Sequence, residues 1–127
     1  MTATRQIYRC NVCGNVVEVV GSGAGRLVCC GQPMELLTEI SEGEGWEKHL
    51  PRVERANGTI RVYIGSEPHP MGEDHYIAWV EVLTGSHVMR AELGSGAEPK
   101  AEFPDLGGAI KVRSLCNKHG LRAVEVL

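Results

Sequence analysis

Apolar and polar residues alternate over much of the chain beyond residue 50, which is the pattern of half-buried β-strands. Within the run 59–64, the apolar residues Ile60, Val62 and Ile64 alternate with more polar neighbours, so one face of a strand would be buried. The pair Asn57-Gly58 stands directly before this run. Asn-Gly is the preferred sequence of a two-residue type I′ turn, so the pattern predicts a β-hairpin here.

Seven strand-like runs can be recognised in this part of the chain, each bounded by turn-forming residues. The runs are 53–55, 59–64, 76–83, 87–93, 100–103, 109–113 and 121–126. No segment has a 3.6-residue apolar period over 11 residues or more, so helices are not predicted. The fold class predicted is all-β, and this many short strands in about 80 residues favours an antiparallel β-sandwich.

The beginning of the chain forms a separate, smaller part with short strand candidates at 6–9, 16–20 and 26–28. We assign residues 1–37 to this domain, 38–45 to a linker rich in glutamate and glycine, and 46–127 to the sandwich. A domain of fewer than about 40 residues rarely buries enough apolar surface to fold alone. The first domain therefore needs a metal, a disulfide or a partner.

Composition and charge exclude several classes of protein. The net charge is -3 and the isoelectric point about 5.9, whereas nucleic-acid-binding domains are usually basic. No apolar run approaches the ~20 residues of a membrane span, and the N-terminus lacks the apolar core of a signal peptide. We therefore expect neither nucleic-acid nor membrane partners. Five cysteines without an export signal favour metal binding over a disulfide framework.

Four of the cysteines lie within the first 30 residues. Cys10 and Cys13 have the Cys-x2-Cys spacing with which a tight turn presents two thiolates to one metal. Cys29 and Cys30 are adjacent, so we expect them to spread around the ion and distort its tetrahedron. Four thiolates suit zinc or iron equally well by spacing alone. The alternative is a redox dithiol at Cys10 and Cys13 with the other two cysteines buried as small hydrophobic residues.

The histidines and the fifth cysteine suggest a second, mixed site. His69 lies between two prolines, and His75 follows after a Met-Gly turn that could bring both rings to one ion. Cys116 and His119 have ligand spacing, and His49 precedes a proline by two residues. Each of these residues has a structural alternative, since a lone histidine is more often a surface or capping residue and Cys116 could be a core thiol.

Taken together, these motifs resemble a known family. The order is Cys-x2-Cys-x15-Cys-Cys, Glu-Lys-His-x-Pro, His-Pro-Met-x3-His-Tyr-Ile and Cys-Asn-x-His-Gly. This order resembles that of the superoxide reductases, and among them the two-iron form, desulfoferrodoxin. The resemblance extends from Tyr8 to Gly120 and fills every ligand position of the family.

The resemblance implies a desulforedoxin-like domain followed by an immunoglobulin-like β-sandwich, with two irons per chain. The first iron would be bound by four thiolates, those of Cys10, Cys13, Cys29 and Cys30; zinc is a possible occupant of the same site. The second would be bound by four imidazoles in a plane and one axial thiolate, those of His49, His69, His75, His119 and Cys116.

The resemblance also implies a reaction. Superoxide would be reduced to hydrogen peroxide without forming dioxygen, with an electron from rubredoxin or a similar donor, in a homodimer of the cytoplasm. Lys48 would guide superoxide and help to protonate the product, since a local cation attracts a small anion. Glu47 would bind the ferric iron after the product leaves. The structural alternative for Glu47 and Lys48 is a solvated pair of charges.

Two other functions agree with parts of the pattern. One is a zinc-stabilised sandwich that only binds a partner, and the other is an electron carrier that uses the four-cysteine iron alone. A visible spectrum separates the three, because zinc gives no colour and an electron carrier does not need the set of four histidines and one cysteine.

Overall fold

The structure is a computed structural model that describes residues 1–41, 50–65 and 71–127. Contacts divide the chain into two compact units, Met1–Thr38 and Glu39–Leu127. All strands of the described residues pair antiparallel within their sheets, and none of these residues lies in a helix. Consequently no helix in the described ranges is long enough to cross a membrane.

The first unit contains five short strands in two small sheets. The strands are β1 (Ile7–Arg9), β2 (Val16–Glu18), β3 (Val28–Cys29), β4 (Gln32–Pro33) and β5 (Glu35–Leu36). One sheet has the order β2-β1-β5, and β3 and β4 form a hairpin. The hydrophobic residues buried in this unit are few: Ile7, Cys10, Val19 and Leu37. Such a small core gives little hydrophobic stabilisation.

The second unit is a sandwich of a three-stranded and a four-stranded sheet. Its strands are β6 (Pro51–Ala56), β7 (Thr59–Ile64), β8 (Ile77–Leu83), β9 (Val88–Glu92), β10 (Lys100–Pro104), β11 (Ile110–Cys116) and β12 (Gly120–Val126). The strand orders are β10-β7-β6 and β12-β11-β8-β9. All seven predicted runs are strands, and the antiparallel all-β class is confirmed.

The core lies between the two sheets and follows the alternation that the sequence predicts. Inward-facing residues come from both sheets: Ile60, Val62, Ile64, Ile77, Val80, Val82, Ala101, Phe103, Ile110, Val112 and Cys116. The hairpin between β6 and β7 has its predicted two-residue turn, because Ala56 pairs with Thr59. Asn57 (φ 55°) and Gly58 (φ 76°) both have the left-handed backbone that a type I′ turn requires.

A buried ion cluster lies on the face of the four-stranded sheet opposite to Val80 and Val112. Glu81 is fully buried, and its carboxylate accepts hydrogen bonds from Arg113 at 2.6 Å and from Arg90 at 3.1 Å. Glu39, in the predicted linker, binds Arg113 at 3.2 Å. Because a buried carboxylate is costly without partners, the cluster fixes the beginning of the second unit against this sheet.

Candidate metal centres

The first candidate centre is built on two turns of the first unit. Cys10 follows β1, and its carbonyl accepts a hydrogen bond from the Gly14 N–H at 3.0 Å. Gly14 has a φ of 85°, a conformation that side chains disfavour. The turn points the Cys13 backbone N–H at the Cys10 sulfur, 3.5 Å away. This tight turn places the two sulfurs on the same side.

The second turn explains how two adjacent cysteines reach the same point. Cys29 ends β3 and pairs with Gln32, so Cys30 and Gly31 are the two central residues of a hairpin. Their φ angles are 54° and 73°, which makes this a type I′ turn of the same kind as Asn57-Gly58. Neighbouring side chains of a strand point to opposite faces, but the left-handed backbone of Cys30 turns its thiol back toward Cys29. The sulfurs lie 4.0 Å apart.

The sulfur positions match a tetrahedral ion. All four Sγ atoms, those of Cys10, Cys13, Cys29 and Cys30, lie within 4.8 Å of one another. The Cys13–Cys29 sulfur distance is 3.6 Å. Metal–sulfur bonds of about 2.3 Å in a tetrahedron place the sulfurs about 3.8 Å apart. The residues therefore fit a four-cysteine site with a modest distortion.

The thiols also have the electrostatics of a cation site. Hydrogen bonds from the backbone N–H groups of Cys13 and Val12 lower the pKa of Cys10 to about 6. The sulfurs of Cys13, Cys29 and Cys10 raise the pKa of Cys30 to about 12, and those of Cys13 and Cys10 raise the pKa of Cys29. Hydrogen bonds between the sulfurs thus favour one thiolate beside protonated neighbours. A bound cation would deprotonate the coordinating thiols and replace these hydrogen bonds.

The second candidate centre joins His75, which precedes β8, to Cys116 and His119, which lie where β11 ends and β12 is about to begin. Ligand atoms of His75, Cys116 and His119 all lie within 4.8 Å of one another. The two imidazole rings meet edge to face with centroids 4.7 Å apart. The Cys116 sulfur lies 3.8 Å from Nδ1 of His119. Ligands that are far apart in the sequence are thus brought together by the pairing of β8 with β11.

A bulge in this pairing determines which face the His75 segment follows. Leu115 pairs with Trp79, but Cys116 pairs with Ile77, so Ala78 is an extra residue on β8. Val80 and Ile77 are both buried although three positions separate them. Regular alternation would place Ala78, not Ile77, on the face of Val80. Because of the bulge, Ile77 lies on the same face of the sheet as Cys116, and the segment with His75 continues from there.

Burial changes steadily across this second group. Cys116 is 1% exposed, His75 is half-buried and His119 is exposed. An ion bound by these residues would have its thiolate on the protein side and at least one imidazole at the solvent side. Imidazole and thiolate are donors that iron and zinc accept. The group therefore fits a metal that a small molecule can approach.

Buried Arg122 contacts the backbone of His119. Its guanidinium donates a hydrogen bond to the His119 carbonyl oxygen at 2.8 Å. Burial lowers the pKa of Arg122, and the charge of Cys116 opposes that shift. Sequence reasoning missed Arg122, as it missed Asn15, whose side-chain amide donates to the Cys29 sulfur at 3.7 Å. The one signal in the sequence for either residue is its position two or three residues after a predicted ligand.

Four of the residues predicted for the second site lie outside the described ranges. These are Glu47, Lys48, His49 and His69. His87, which carries no motif, lies in the β8–β9 turn, where its ring nitrogen is 3.0 Å from the Ser86 hydroxyl.

Comparison with known proteins decides the family. The family model described as "Desulfoferrodoxin, N-terminal domain" matches residues 2–37, and the one described as "Desulfoferrodoxin" matches residues 41–125. The chain belongs to the desulfoferrodoxin family. A desulfoferrodoxin homologue of Methanothermobacter thermautotrophicus is 54% identical over 95% of this chain and 98% of its own. The resemblance found from the motifs is confirmed.

Solved structures extend the comparison. The superoxide reductase of Treponema pallidum has the same fold, with a TM-score of 0.78 over 94% of this desulfoferrodoxin and 96% of its own chain, at 24% identity. The superoxide reductase of Nanoarchaeum equitans is 27% identical, with a TM-score of 0.55 over 70% of this chain and 98% of its own. Within this family, the group of four cysteines and the His/Cys group fit two iron sites, as predicted.

Proposed function

We propose that this desulfoferrodoxin is a superoxide reductase that converts superoxide to hydrogen peroxide without forming dioxygen, at a ferrous centre of four histidines and one cysteine. The observation that carries the proposal is the convergence of His75, Cys116 and His119 within 4.8 Å in a chain of this family. The relative from Nanoarchaeum equitans, whose chain this one covers almost completely, carries the name superoxide reductase. His49 and His69 complete the proposed ligand set.

Ferrous iron bound in this set would supply one electron, and superoxide would leave as hydrogen peroxide after taking up two protons. The protein contributes the donor set and access. Four imidazoles and one thiolate would leave room for a further ligand, which a catalytic metal requires. Because Cys116 is buried and His119 is exposed, a small molecule would reach the bound metal from the solvent side. A donor of the rubredoxin kind would return the electron.

Lys48 has the role of attracting superoxide and helping to protonate the product. The net charge of -3 repels an anion weakly, so a cation next to ligand His49 raises the local concentration of superoxide. Its ammonium group can also organise the water that delivers protons. Glu47 would have the complementary role of a carboxylate ligand to the iron in its ferric form.

The first centre has a different role in this proposal. Cys10, Cys13, Cys29 and Cys30 form a closed set without an open position, as structural sites do. We assign it to holding the first unit folded and, secondarily, to electron transfer. We further propose that the protein acts as a homodimer in the cytoplasm and that the domain assignment 1–37, 38–45 and 46–127 describes its organisation.

The decisive experiment measures products in a single turnover. Anaerobically reduced protein, in excess over a pulse of superoxide, should yield one hydrogen peroxide for each superoxide and no dioxygen. Dismutation would yield half as much peroxide together with dioxygen, and that result would reject the proposal. A colourless protein that carries zinc in both sites would reject it too.

The role of Lys48 is tested separately by Lys48→Ile. The reaction should become slower and lose most of its dependence on ionic strength, because the steering charge is gone. Lys100→Ile is the matched control, since it removes the same charge from an exposed residue of β10. If both variants react alike, the assignment of Lys48 is wrong while the reaction itself still stands.

A further inference from the structure

Asn117 belongs to the Cys-Asn-x-His-Gly motif but has no role as a ligand. It lies between Cys116 and His119 on the turn that joins β11 to β12. Its side-chain oxygen accepts a hydrogen bond from the Tyr76 N–H at 2.8 Å. Its amide nitrogen donates to the Asp74 carbonyl oxygen at 3.0 Å. Both bonds of the side chain therefore end on the two residues that flank His75.

The segment around His75 forms a turn before the sheet, in which the Gly72 N–H donates a hydrogen bond to the His75 carbonyl oxygen at 3.0 Å. Strand β8 begins only at Ile77, so the sheet ladder does not include His75. The backbone N–H of Asn117 donates to the Tyr76 carbonyl oxygen at 3.1 Å and continues the pairing by one residue. Beyond that point, the side chain of Asn117 joins the segment to the turn that carries Cys116 and His119.

The chemistry of the contact selects an amide. Asn117 has to accept from one backbone N–H and donate to one backbone carbonyl at the same time. A carboxamide offers both groups in one plane, whereas an ionised carboxylate only accepts and an ammonium group only donates. A hydroxyl is too short to span two backbone groups on either side of a residue. In this arrangement the rings of His75 and His119 meet edge to face, with centroids 4.7 Å apart.

We propose that Asn117 is a positioning residue of the second metal centre: it holds His75 against Cys116 and His119 before the metal binds. The inference rests on the ligand roles given under the proposed function but does not depend on the reaction with superoxide. Hydrogen bonds that orient ligands typically change metal affinity by about 10–100-fold. We expect a loss of this size when the amide is removed.

The test compares Asn117→Ala with Thr84→Ala. Thr84 also joins a turn of the sandwich by two side-chain hydrogen bonds, accepting from the N–H groups of Ser86 at 3.2 Å and His87 at 2.9 Å. That turn carries none of the proposed ligands. Both variants lose two bonds to turn backbone, so both should show a similar fall in melting temperature. The comparison therefore separates positioning of the site from general stability.

Two measurements decide the outcome. The first is ferrous iron affinity by competition with a chelator, read from the absorption of the second centre with the four-cysteine centre as internal reference. Asn117→Ala should weaken the second centre by about 10–100-fold and leave the first unchanged. The second is the nuclear Overhauser contact between the His75 and His119 rings in protein without metal at that centre. This contact should persist in Thr84→Ala and disappear in Asn117→Ala.

Asn117→Ser serves as a milder variant, in which one of the two side-chain bonds can re-form, and its iron affinity should lie between the other two. Unchanged iron affinity and a preserved ring contact in Asn117→Ala would overturn the inference, even if the protein reduces superoxide. Conversely, an Asn117-dependent iron site without superoxide reductase activity would reject the proposed function and leave the inference standing.

Discussion

The two units carry their metal ligands on folds that differ greatly in strand length and in the size of the hydrophobic core. In the first unit, strands of two or three residues surround four thiols, and the buried hydrophobic residues are only Ile7, Cys10, Val19 and Leu37. In the second unit, strands of five to seven residues enclose a core in which eleven of the described residues cluster. Metal ligands stand at the centre of the first fold, whereas in the second they lie at or just beyond the ends of strands. We therefore expect the first fold to depend on its metal and the second fold to form without it.

Metal removal should produce the largest difference in stability between the two units. Without metal, the first unit should unfold, because structural sites of this kind contribute on the order of 10 kcal/mol to folding. In a two-dimensional amide spectrum of the reduced, chelated protein, signals of residues 1–38 should collapse to the unfolded range. Signals of β6 to β12 should stay dispersed. Dispersed signals from both units would show that the first core suffices on its own.

A cavity in the sandwich should have the next largest effect. Ile60 is fully buried in β7, so Ile60→Ala should lower the free energy of unfolding of the second unit by about 2–5 kcal/mol. Urea unfolding followed by tryptophan fluorescence measures it, since Trp46 and Trp79 both belong to residues 39–127. Val88→Ala, on edge strand β9 and 42% exposed, is the control and should cost far less. The comparison requires that the thiolate absorption of the first unit stays unchanged in both.

The type I′ turn of the first unit gives a smaller, local effect. Gly31 has a φ of 73°, and nothing lies within 4 Å of an added Cβ, so Gly31→Ala introduces only backbone strain. That strain is about 1 kcal/mol. It should appear as a lower urea midpoint for loss of the thiolate–metal absorption. Gly25→Ala also meets no neighbour but lacks a positive φ; equal midpoints for the two variants would contradict the assigned turn.

The smallest effect concerns acid stability of the sandwich. Arg55 binds Asp105 at 2.6 Å and holds the pKa of that carboxyl at about 2, below its usual 3.8. A lowered pKa stabilises the folded state above the unfolded value and ceases to do so as the pH falls through the folded value. Asp105→Asn should therefore reduce the loss of stability between about pH 4 and pH 2. An unchanged acid-unfolding curve would show that this ion pair contributes nothing.

The sandwich is largely readable from the sequence because its strands are long and alternate regularly. The turn Asn57-Gly58 and the alternation of Ile60, Val62 and Ile64 are local signals that the structure reproduces. The strands β4 and β5 are not predicted, since residues 32–36 include Pro33 and have no alternation. Local patterns thus recognise long strands well and two-residue strands poorly.

The sequence identifies the ligands of the two sites but does not predict the backbone geometry that brings them together. The adjacent cysteines in the sequence indicate a distorted tetrahedron, while the type I′ turn at Cys30-Gly31 is seen only in its φ angles. The bulge at Ala78 and the contacts of Asn117 depend on pairing between β8 and β11, which are far apart in the sequence. Such pairing is decided by packing of the whole sheet, which no local pattern contains.

The extra residue Ala78 determines where strand β8 can lose a single residue without losing its register. The bulge holds one residue more than the ladder needs, so deleting Ala78 would leave Ile77 opposite Cys116 and on the face of Val80. Deleting Val82 instead would shift the preceding residues by one position and move charged Glu81 toward the core. Within β8, the loss of a single codon should therefore be tolerated at position 78 and rejected at position 82.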